Sequence, residues 1–361
     1  MADVIAPGTP WRRDPDELRE GLGGWVRRTL GEERTVSGIV APEGTGMSSE
    51  TVLFDVARPG EPASERYVAR VAPLPSLHPV FPAYDLDLQR RCMDLVRRHT
   101  TVPTPEVPWY EPDQSWLGAP FLVMGRVEGR TPSDMPPYVF GGWLMDAPVE
   151  EQSRLEHNAV SVLVRIHELT PATADLSFLA RPEHGASALD QHLGYQHWYY
   201  EWAREGLSYP LIERGLAWLA DHRPPEGPTV LNWGDSRIGN VLWDGAEPVA
   251  VLDWEMAALG PAEVDIAWML FLHRFFQGMA ESYAMPGMPS FMQHDAVCAT
   301  YERLSGHRVA HLEWFEVLAA VRFAVISVRT TARSIAYGQT AQPEDPDDLI
   351  MFRPLLEAML A

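Results

Sequence analysis

The sequence predicts an α+β protein with two lobes, a small β-rich N-terminal lobe and a larger, mostly helical C-terminal lobe. Short runs of β-forming residues concentrate in the first part of the chain, whereas apolar residues at helical spacing dominate the rest. At 361 residues the chain is long enough for one large domain or for two of ordinary size, and a two-lobed protein fits comfortably. We place the boundary so that residues 1–126 form the N-lobe and residues 127–361 form the C-lobe.

The N-lobe is predicted to begin with a helix and to continue as a sheet. Asp14 and Pro15 suit the start of that helix, because Asp caps a helix N-terminus and Pro is tolerated in its first turn. Strands are predicted at 35–39, 51–56 and 66–71, with a last strand and connecting segment at 120–129. The loop at 42–50 is rich in small residues, a helix is expected at 84–98, and 101–112 is proline-rich and extended.

The C-lobe is predicted to be built from long helices. Ser153 and Glu156 have the spacing of a capping box, which predicts a helix that begins there and ends near His167. An aromatic helix is expected at 189–204, and another long helical run at 314–333. His192 and His197 lie five residues apart in the aromatic helix, the wrong spacing for one face, so we assign them to packing rather than to a metal.

Composition and charge exclude several classes of function. The chain has a formal net charge of -21, which disfavours nucleic acid and anionic membranes as partners. It contains no lysine, which excludes a Walker A lysine and Schiff-base catalysis. We expect a cytoplasmic protein, because no apolar run of membrane-spanning length and no secretion signal are present. Cys92 and Cys298 are interpreted as structural, and nothing in the sequence indicates the oligomeric state.

One stretch, residues 229–255, combines residues that suit phosphate chemistry. Asp235 and Asn240 share a polar loop between two β-like runs, and Asp253 follows the next apolar run. A hairpin-like return would bring the three oxygen-bearing side chains together. Such a set suits a hard divalent cation and a hydroxyl that must lose its proton.

The order Gly-Asp, four residues, Gly-Asn-Val-Leu and then Val-Leu-Asp-Trp-Glu resembles the aminoglycoside phosphotransferase and choline kinase branch of the protein-kinase-like superfamily. The resemblance covers about residues 30 to 335. It implies a kinase-like fold and an ATP-dependent, Mg²⁺-assisted transfer to the hydroxyl of a small molecule. Asp235 would orient the acceptor hydroxyl, while Asn240 and Asp253 would hold Mg²⁺.

The same resemblance implies a nucleotide-binding set in the first part of the chain. Arg70, at the end of the third strand, would bind phosphate, and Met124 lies where backbone groups meet the adenine. The remaining residues of the predicted set are Gly44, Thr45, Gly46, Ser48, Ser49 and Gln89.

Three positions depart from the family pattern. Trp233 stands where the family usually has His, Arg70 replaces a lysine, and Gln89 replaces the glutamate that pairs with that lysine. These departures favour an alternative, a pseudokinase-like protein that binds nucleotide without transferring phosphate. A metal-dependent hydrolase is a further alternative, although no histidine lies near the carboxylates in the sequence.

The sequence leaves the acceptor open. Tyr195, Trp198 and Trp202 share one face of the aromatic helix with spacing i, i+3 and i+7, and Tyr199 lies beside them. This face is either core or part of an acceptor pocket. If it lines the pocket, it favours a hydroxylated acceptor with an apolar or cationic body over a bare sugar.

Overall fold

The computed structural model describes residues 13–41, 48–58, 60 and 65–361. The chain divides into two compact units. The first comprises Met1–Leu86, Val107–Arg126 and Arg329–Gln342, and the second comprises Asp87–Glu106, Val127–Val328 and Pro343–Ala361. Gly44, Thr45 and Gly46 of the predicted phosphate loop lie outside the described residues.

The first unit is an antiparallel sheet with a helix. Its elements are helix α1 (Pro15–Leu30) and strands β1 (Thr35–Val40), β2 (Glu50–Ala57), β3 (Glu65–Val71), β4 (Trp109–Glu111) and β5 (Phe121–Gly125). The five strands have the spatial order β1-β2-β3-β5-β4. The carboxylate of Asp14 accepts hydrogen bonds from the first backbone N–H groups of α1, as the sequence predicts.

The core of the first unit forms around the buried ring of Trp25. This ring makes edge-on contacts with Phe121 at 5.4 Å and Trp109 at 5.7 Å between centroids. A buried ion pair between Arg13 and Glu50, with 2.8 Å between Nη1 and Oε2, joins the segment before α1 to the start of β2. Aromatic burial of this kind fixes helix α1 against the sheet.

The second unit contains most of the α-helices in the described part of the chain. They are α2 (Leu86–His99), α3 (Val149–His167), α4 (Ala188–Ala203), α5 (Pro210–Asp221), α6 (Glu263–Ser282), α7 (His294–Ser305), α8 (Leu312–Ala336) and α9 (Arg353–Met359). Leu86 of α2 and the last residues of α8, from Arg329 onwards, are assigned to the first unit.

Two short antiparallel pairs of strands occur among these helices. β6 (Val230–Asn232) pairs with β9 (Ala258–Gly260), and β7 (Val241–Asp244) pairs with β8 (Glu247–Val251). The segment that the sequence singles out therefore runs along β6, a polar loop, the β7–β8 hairpin and the return to β9. No helix of the described residues is long and apolar enough to cross a membrane.

One prediction about local structure is wrong. Helix α3 begins at Val149 rather than at a capping box on Ser153, which lies inside the helix. Pro148 immediately precedes the helix, and Glu150 and Glu151 in the first turn favour a helix N-terminus there. The segment 101–112, predicted to be extended, includes strand β4, because Trp109–Glu111 pair with β5.

Candidate active site

The loop after β6 requires a glycine at position 234. Gly234 has φ of 92°, and a Cβ added there would lie 2.1 Å from the backbone oxygen of Met256. A side chain at this position would therefore clash with backbone as well as strain the conformation. The close approach brings the segment that carries Asp235 against the segment that follows Asp253.

Asp265 holds the loop that carries Asp235 in place. Its carboxylate is fully buried and accepts hydrogen bonds from the backbone N–H of Trp233 at 2.7 Å and of Gly234 at 2.8 Å. His167 Nε2 lies 3.0 Å from the same carboxylate, and His167 Nδ1 lies 2.7 Å from the hydroxyl of Tyr301. These contacts make Asp265 and His167 supports of the loop that carries Asp235.

Trp233 adds a second support. Its indole is buried and donates from Nε1 to the backbone oxygen of Leu252 at 2.8 Å. Leu252 immediately precedes Asp253. The residue that replaces the family's usual His therefore ties the loop of Asp235 to the backbone beside Asp253.

Asp235 is held by three side chains. Trp268 Nε1 donates to Oδ1 at 2.7 Å, and Asn240 Nδ2 donates to Oδ2 at 2.6 Å. Arg237 Nε lies 3.2 Å and 3.1 Å from the two carboxylate oxygens. Asp235 and Asn240, which the sequence places five residues apart, are thus brought into direct contact.

Arg237 also contacts a second acid, Asp134. Burial alone would lower the pKa of Arg237, but attraction to Asp235 and Asp134 outweighs it and holds this pKa above its ordinary value. The guanidinium is therefore a permanent cation between two carboxylates.

The β7–β8 hairpin brings Asp253 towards this cluster. The backbone N–H of Leu252 donates to the backbone oxygen of Asn240 at 2.8 Å, so Asp253 follows directly on a residue bonded to Asn240. Asp253 has φ of 57°, a left-handed conformation that is uncommon for Asp. A strained residue of this kind is often found at functional sites.

The donor set fits Mg²⁺ better than a transition metal. Within the described part of the chain, no group of three or more His, Cys, Asp and Glu side chains could hold a metal. Because the Asn240 amide nitrogen is engaged by Asp235, its Oδ1 is the atom left to bind a cation, together with the Asp253 carboxylate. One or two protein oxygens completed by substrate phosphates and water are the usual ligands of Mg²⁺.

The predicted nucleotide residues lie on several elements. Arg70 is on β3, with Nη1 3.3 Å from Thr51 Oγ1, and Met124 is on β5 opposite Val68. Ser48 and Ser49 immediately precede β2. Gln89 is on α2 in the second unit, and its buried Nε2 has no hydrogen-bond partner among the described residues.

A small recess lies beside Arg237, with room for little more than one water molecule. Its lining is mostly apolar and comprises Asp134, Tyr138, Arg237, Ile238, Gly239, Met269, Leu272, His273, Phe276 and Met292. The aromatic residues of α4 do not line it. Tyr199 is buried and stacks on Trp202, while Tyr195 and Trp198 pack on His184.

Sequence reasoning missed four contributors: Asp134, Arg237, Trp268 and Arg322. Arg237 stands inside the motif, and its spacing of two residues from Asp235 was an available signal. The other three come from distant segments, and only the folded chain brings them to the loop.

The chain belongs to the phosphotransferase enzyme family (APH), whose model matches residues 41–292. The resemblance inferred from the sequence and the predicted kinase-like fold are thereby confirmed.

Curated relatives share part of their length with the chain. A segment is 29% identical over 247 residues to acyl-CoA dehydrogenase family member 10 of Mus musculus, covering 65% of the chain and 21% of that protein. A segment is 27% identical over 269 residues to family member 11 of Gallus gallus, covering 71% of the chain and 32% of that protein. The chain thus matches only a fifth to a third of these longer proteins.

Solved structures share the fold. A thermostable mutant of aminoglycoside phosphotransferase APH(4)-Ia, in complex with ADP and hygromycin B, has a TM-score of 0.57 at 18% identity and covers 94% of this chain and 98% of its own. The macrolide 2'-phosphotransferase MphH from Brachybacterium faecium has a TM-score of 0.56 at 17% identity, covering 92% and 98%.

Proposed function

We propose that the protein transfers the γ-phosphate of ATP, with Mg²⁺, to a hydroxyl group of a small molecule, and that Asp235 is its catalytic residue. The observation that carries the proposal is the Asp235 carboxylate, oriented by three side-chain donors on a loop that Asp265 anchors. Preorganised charge of this kind is what phosphoryl transfer asks of a protein.

The hydrogen bonds of Asp235 leave room for the acceptor. A carboxylate offers about four lone-pair positions. Trp268 and Asn240 each occupy one of them, and the Arg237 Nε–H is shared between the two oxygens at 3.2 and 3.1 Å, so an acceptor hydroxyl would take a position that Arg237 now shares. An acceptor hydroxyl in that position would be oriented for attack and could pass its proton to Asp235.

Asn240 Oδ1 and the Asp253 carboxylate would hold Mg²⁺. The ion would neutralise charge that develops on the transferred phosphoryl group. ADP binding by the structurally similar APH(4)-Ia mutant supports nucleotide use by this fold.

For the nucleotide we propose the set implied by the family resemblance. Arg70 would bind phosphate, and Met124 would mark the adenine position. Gly44, Thr45, Gly46, Ser48, Ser49 and Gln89 complete the set. We further propose that residues 1–126 act as the nucleotide lobe and residues 127–361 as the lobe that carries the catalytic loop, the metal ligands and the acceptor pocket.

We keep an acceptor with an apolar body as part of the proposal. The recess beside Arg237 is lined mostly by apolar residues but is too small to hold that body, so it would contact only an edge of it.

Calorimetry with ATP and its analogue AMP-PNP, with and without Mg²⁺, tests the proposal. We expect nucleotide binding that depends on Mg²⁺, and ADP release with some member of a panel of hydroxylated compounds. Arg70→Ala should weaken binding of the triphosphate more than binding of adenosine. Arg66→Ala, an exposed arginine on the same strand, is the matched control.

The outcomes separate the alternatives. Absence of nucleotide binding with Mg²⁺ present would exclude both a kinase and a nucleotide-binding pseudokinase. Binding without ADP release from any hydroxylated compound would favour the pseudokinase.

A further inference from the structure

Arg322 is a buried cation whose hydrogen-bonding capacity is not filled. Only 3% of the residue is exposed. Nη2 donates to the backbone oxygen of Gly234 at 3.2 Å, and the guanidinium carbon lies 4.6 Å from the centre of the Trp268 ring. Its Nε and Nη1 atoms are buried and have no hydrogen-bond partner in the described residues. Unpaired buried donors on a charged group are costly, so the site is incomplete as it stands.

The acids near Arg322 are already engaged. Burial lowers the pKa of Arg322 to about 10, while attraction to Asp265 and Asp235 opposes that effect. Neither acid forms an ion pair with it. Asp265 accepts from two backbone N–H groups and contacts His167, and Asp235 accepts from three side chains. Arg322 therefore stays cationic at neutral pH without a counter-ion in contact.

A second arginine adds to this positive charge. Arg181 is half-buried, and its guanidinium lies over the ring of Tyr195 at 4.6 Å. Its one side-chain hydrogen bond among the described residues, from Nη2 to the Ala257 oxygen, is long at 3.5 Å. Arg181 contacts the backbone of Ala257 and Arg322 contacts the backbone of Gly234, and these two segments approach closely where Gly234 meets Met256. Repulsion from Arg181 contributes to the lowered pKa of Arg322.

A shortage of acidic residues does not explain why Arg322 and Arg181 have no ion-paired carboxylate among the described residues. The chain has 50 acidic residues against 29 basic ones. Other arginines of the second unit contact carboxylates, as Arg223 does with Asp190 and Glu226. Two arginines on neighbouring backbone segments, neither ion-paired with a carboxylate among the described residues, are an arrangement that suits an anion supplied by a ligand.

We propose that Arg322 and Arg181 bind an anionic group of the acceptor, a carboxylate or a phosphate, so that the acceptor is a hydroxylated anion rather than a polycation. This inference rests on the proposed function. Trp268 links the position of the reactive hydroxyl to that of the anionic group. Arg322 stacks over the Trp268 ring, while Trp268 Nε1 donates to Asp235. The reactive hydroxyl and the anionic group would therefore be separated by about the width of one indole.

Binding of matched compounds tests this subsite directly. Calorimetry with saturating Mg²⁺ and AMP-PNP would compare glycerate, glycerol phosphate, glycerol and the amine serinol, and also hydroxyhexanoate with hexanediol. We expect the anions to bind about tenfold or more tightly than their neutral counterparts, since hydrogen bonds to charged groups contribute about 1.5–3 kcal/mol. Glycerate and glycerol phosphate then distinguish a carboxylate from a phosphate.

Variants assign the preference to the two arginines. Arg181→Gln should remove most of the preference for anions and leave binding of glycerol and hexanediol unchanged. Arg322→Lys, which keeps the charge but loses the planar fork, should reduce the preference in part. Arg214→Gln, the same change on the exposed face of α5, should leave it intact.

Three results would overturn the proposal. They are equal binding of anions and neutral counterparts to the wild type, an equal loss for both in Arg181→Gln, and loss of anion binding when AMP-PNP is present. The last result would assign the arginines to the nucleotide. ADP release, measured in parallel, scores the phosphotransfer itself, so a preference for anions without ADP release would count against the proposed function and leave the subsite standing.

Discussion

Arg237 and Arg322 both lie beside Asp235, but their surroundings differ. Arg237 contacts two carboxylates, those of Asp235 and Asp134, so its charge is matched within the protein. Arg322 is more deeply buried and has two nitrogens without a partner in the described residues. From this comparison, the fold itself organises the Asp235 carboxylate and matches the charge of Arg237, whereas Arg322 has no ion-paired carboxylate among the described residues and is where the proposed ligand would supply the anion.

The largest effect is expected where the fold organises the loop, at Asp265. Asp265→Asn should reduce the free energy of unfolding by about 3–5 kcal/mol, because an amide keeps only one acceptor oxygen, so the backbone N–H of either Trp233 or Gly234 loses its acceptor and His167 loses its charged partner. Denaturant unfolding measures the change. Asp221→Asn, an exposed control, should stay within about 0.5 kcal/mol of wild type. A stability loss no greater than that of the control would show that Asp265 does not anchor the loop.

An intermediate effect is expected at the ion pair that orients Asp235. Arg237→Gln should lower kcat about ten- to a hundredfold with little change in nucleotide affinity, because a charge-assisted hydrogen bond contributes about 1.5–3 kcal/mol. Asp134→Asn acts through Arg237 and should cost less. Steady-state kinetics with the best acceptor of the panel provide the measurement, with Arg214→Gln as control. If Arg237→Gln were as fast as wild type, the pair would not be a positioning device.

The smallest effect concerns pH and His192. Burial, followed by repulsion from Arg322, lowers the pKa of His192 from 6.5 to about 4. Because the folded state disfavours protonation, stability should be full above pH 6.5 and should fall as the pH drops towards 4. His192→Gln should reduce the slope of stability against pH in this window by about 1.4 kcal/mol per unit. An unchanged slope in denaturant unfolding across this range would contradict the assignment.

The sequence predicted those parts of the site that lie close together in the chain. Asp235, Asn240 and Asp253 fall within 20 residues, and the β7–β8 hairpin that joins them follows from alternating apolar runs. Helix α1 was predictable for the same local reason, since Asp14 and Pro15 mark its start. Such patterns arise from interactions between residues that are close in the chain, so a short stretch of sequence is enough to predict them.

Long-range contacts could not be predicted in this way. Trp268 and Arg322 come from the middles of α6 and α8, where sequence patterns indicate only apolar packing. The aromatic face of α4 satisfied the spacing of a pocket wall, yet Tyr199 is core and Tyr195 packs on His184. Periodicity identifies a buried face but does not tell what covers it. The start of α3 was misplaced because Pro148 and two acidic residues outweighed the Ser153 capping box.

The central claim is most directly tested by following the phosphate in wild type and in Asp235→Asn. Mass spectrometry would detect the phosphorylated acceptor formed from Mg²⁺-ATP, and calorimetry would report nucleotide affinity. We expect Asp235→Asn to bind nucleotide nearly as wild type does and to lower the rate of product formation about 10²- to 10⁴-fold, the usual loss when a general base is removed. Product formation by Asp235→Asn at the wild-type rate would contradict the account.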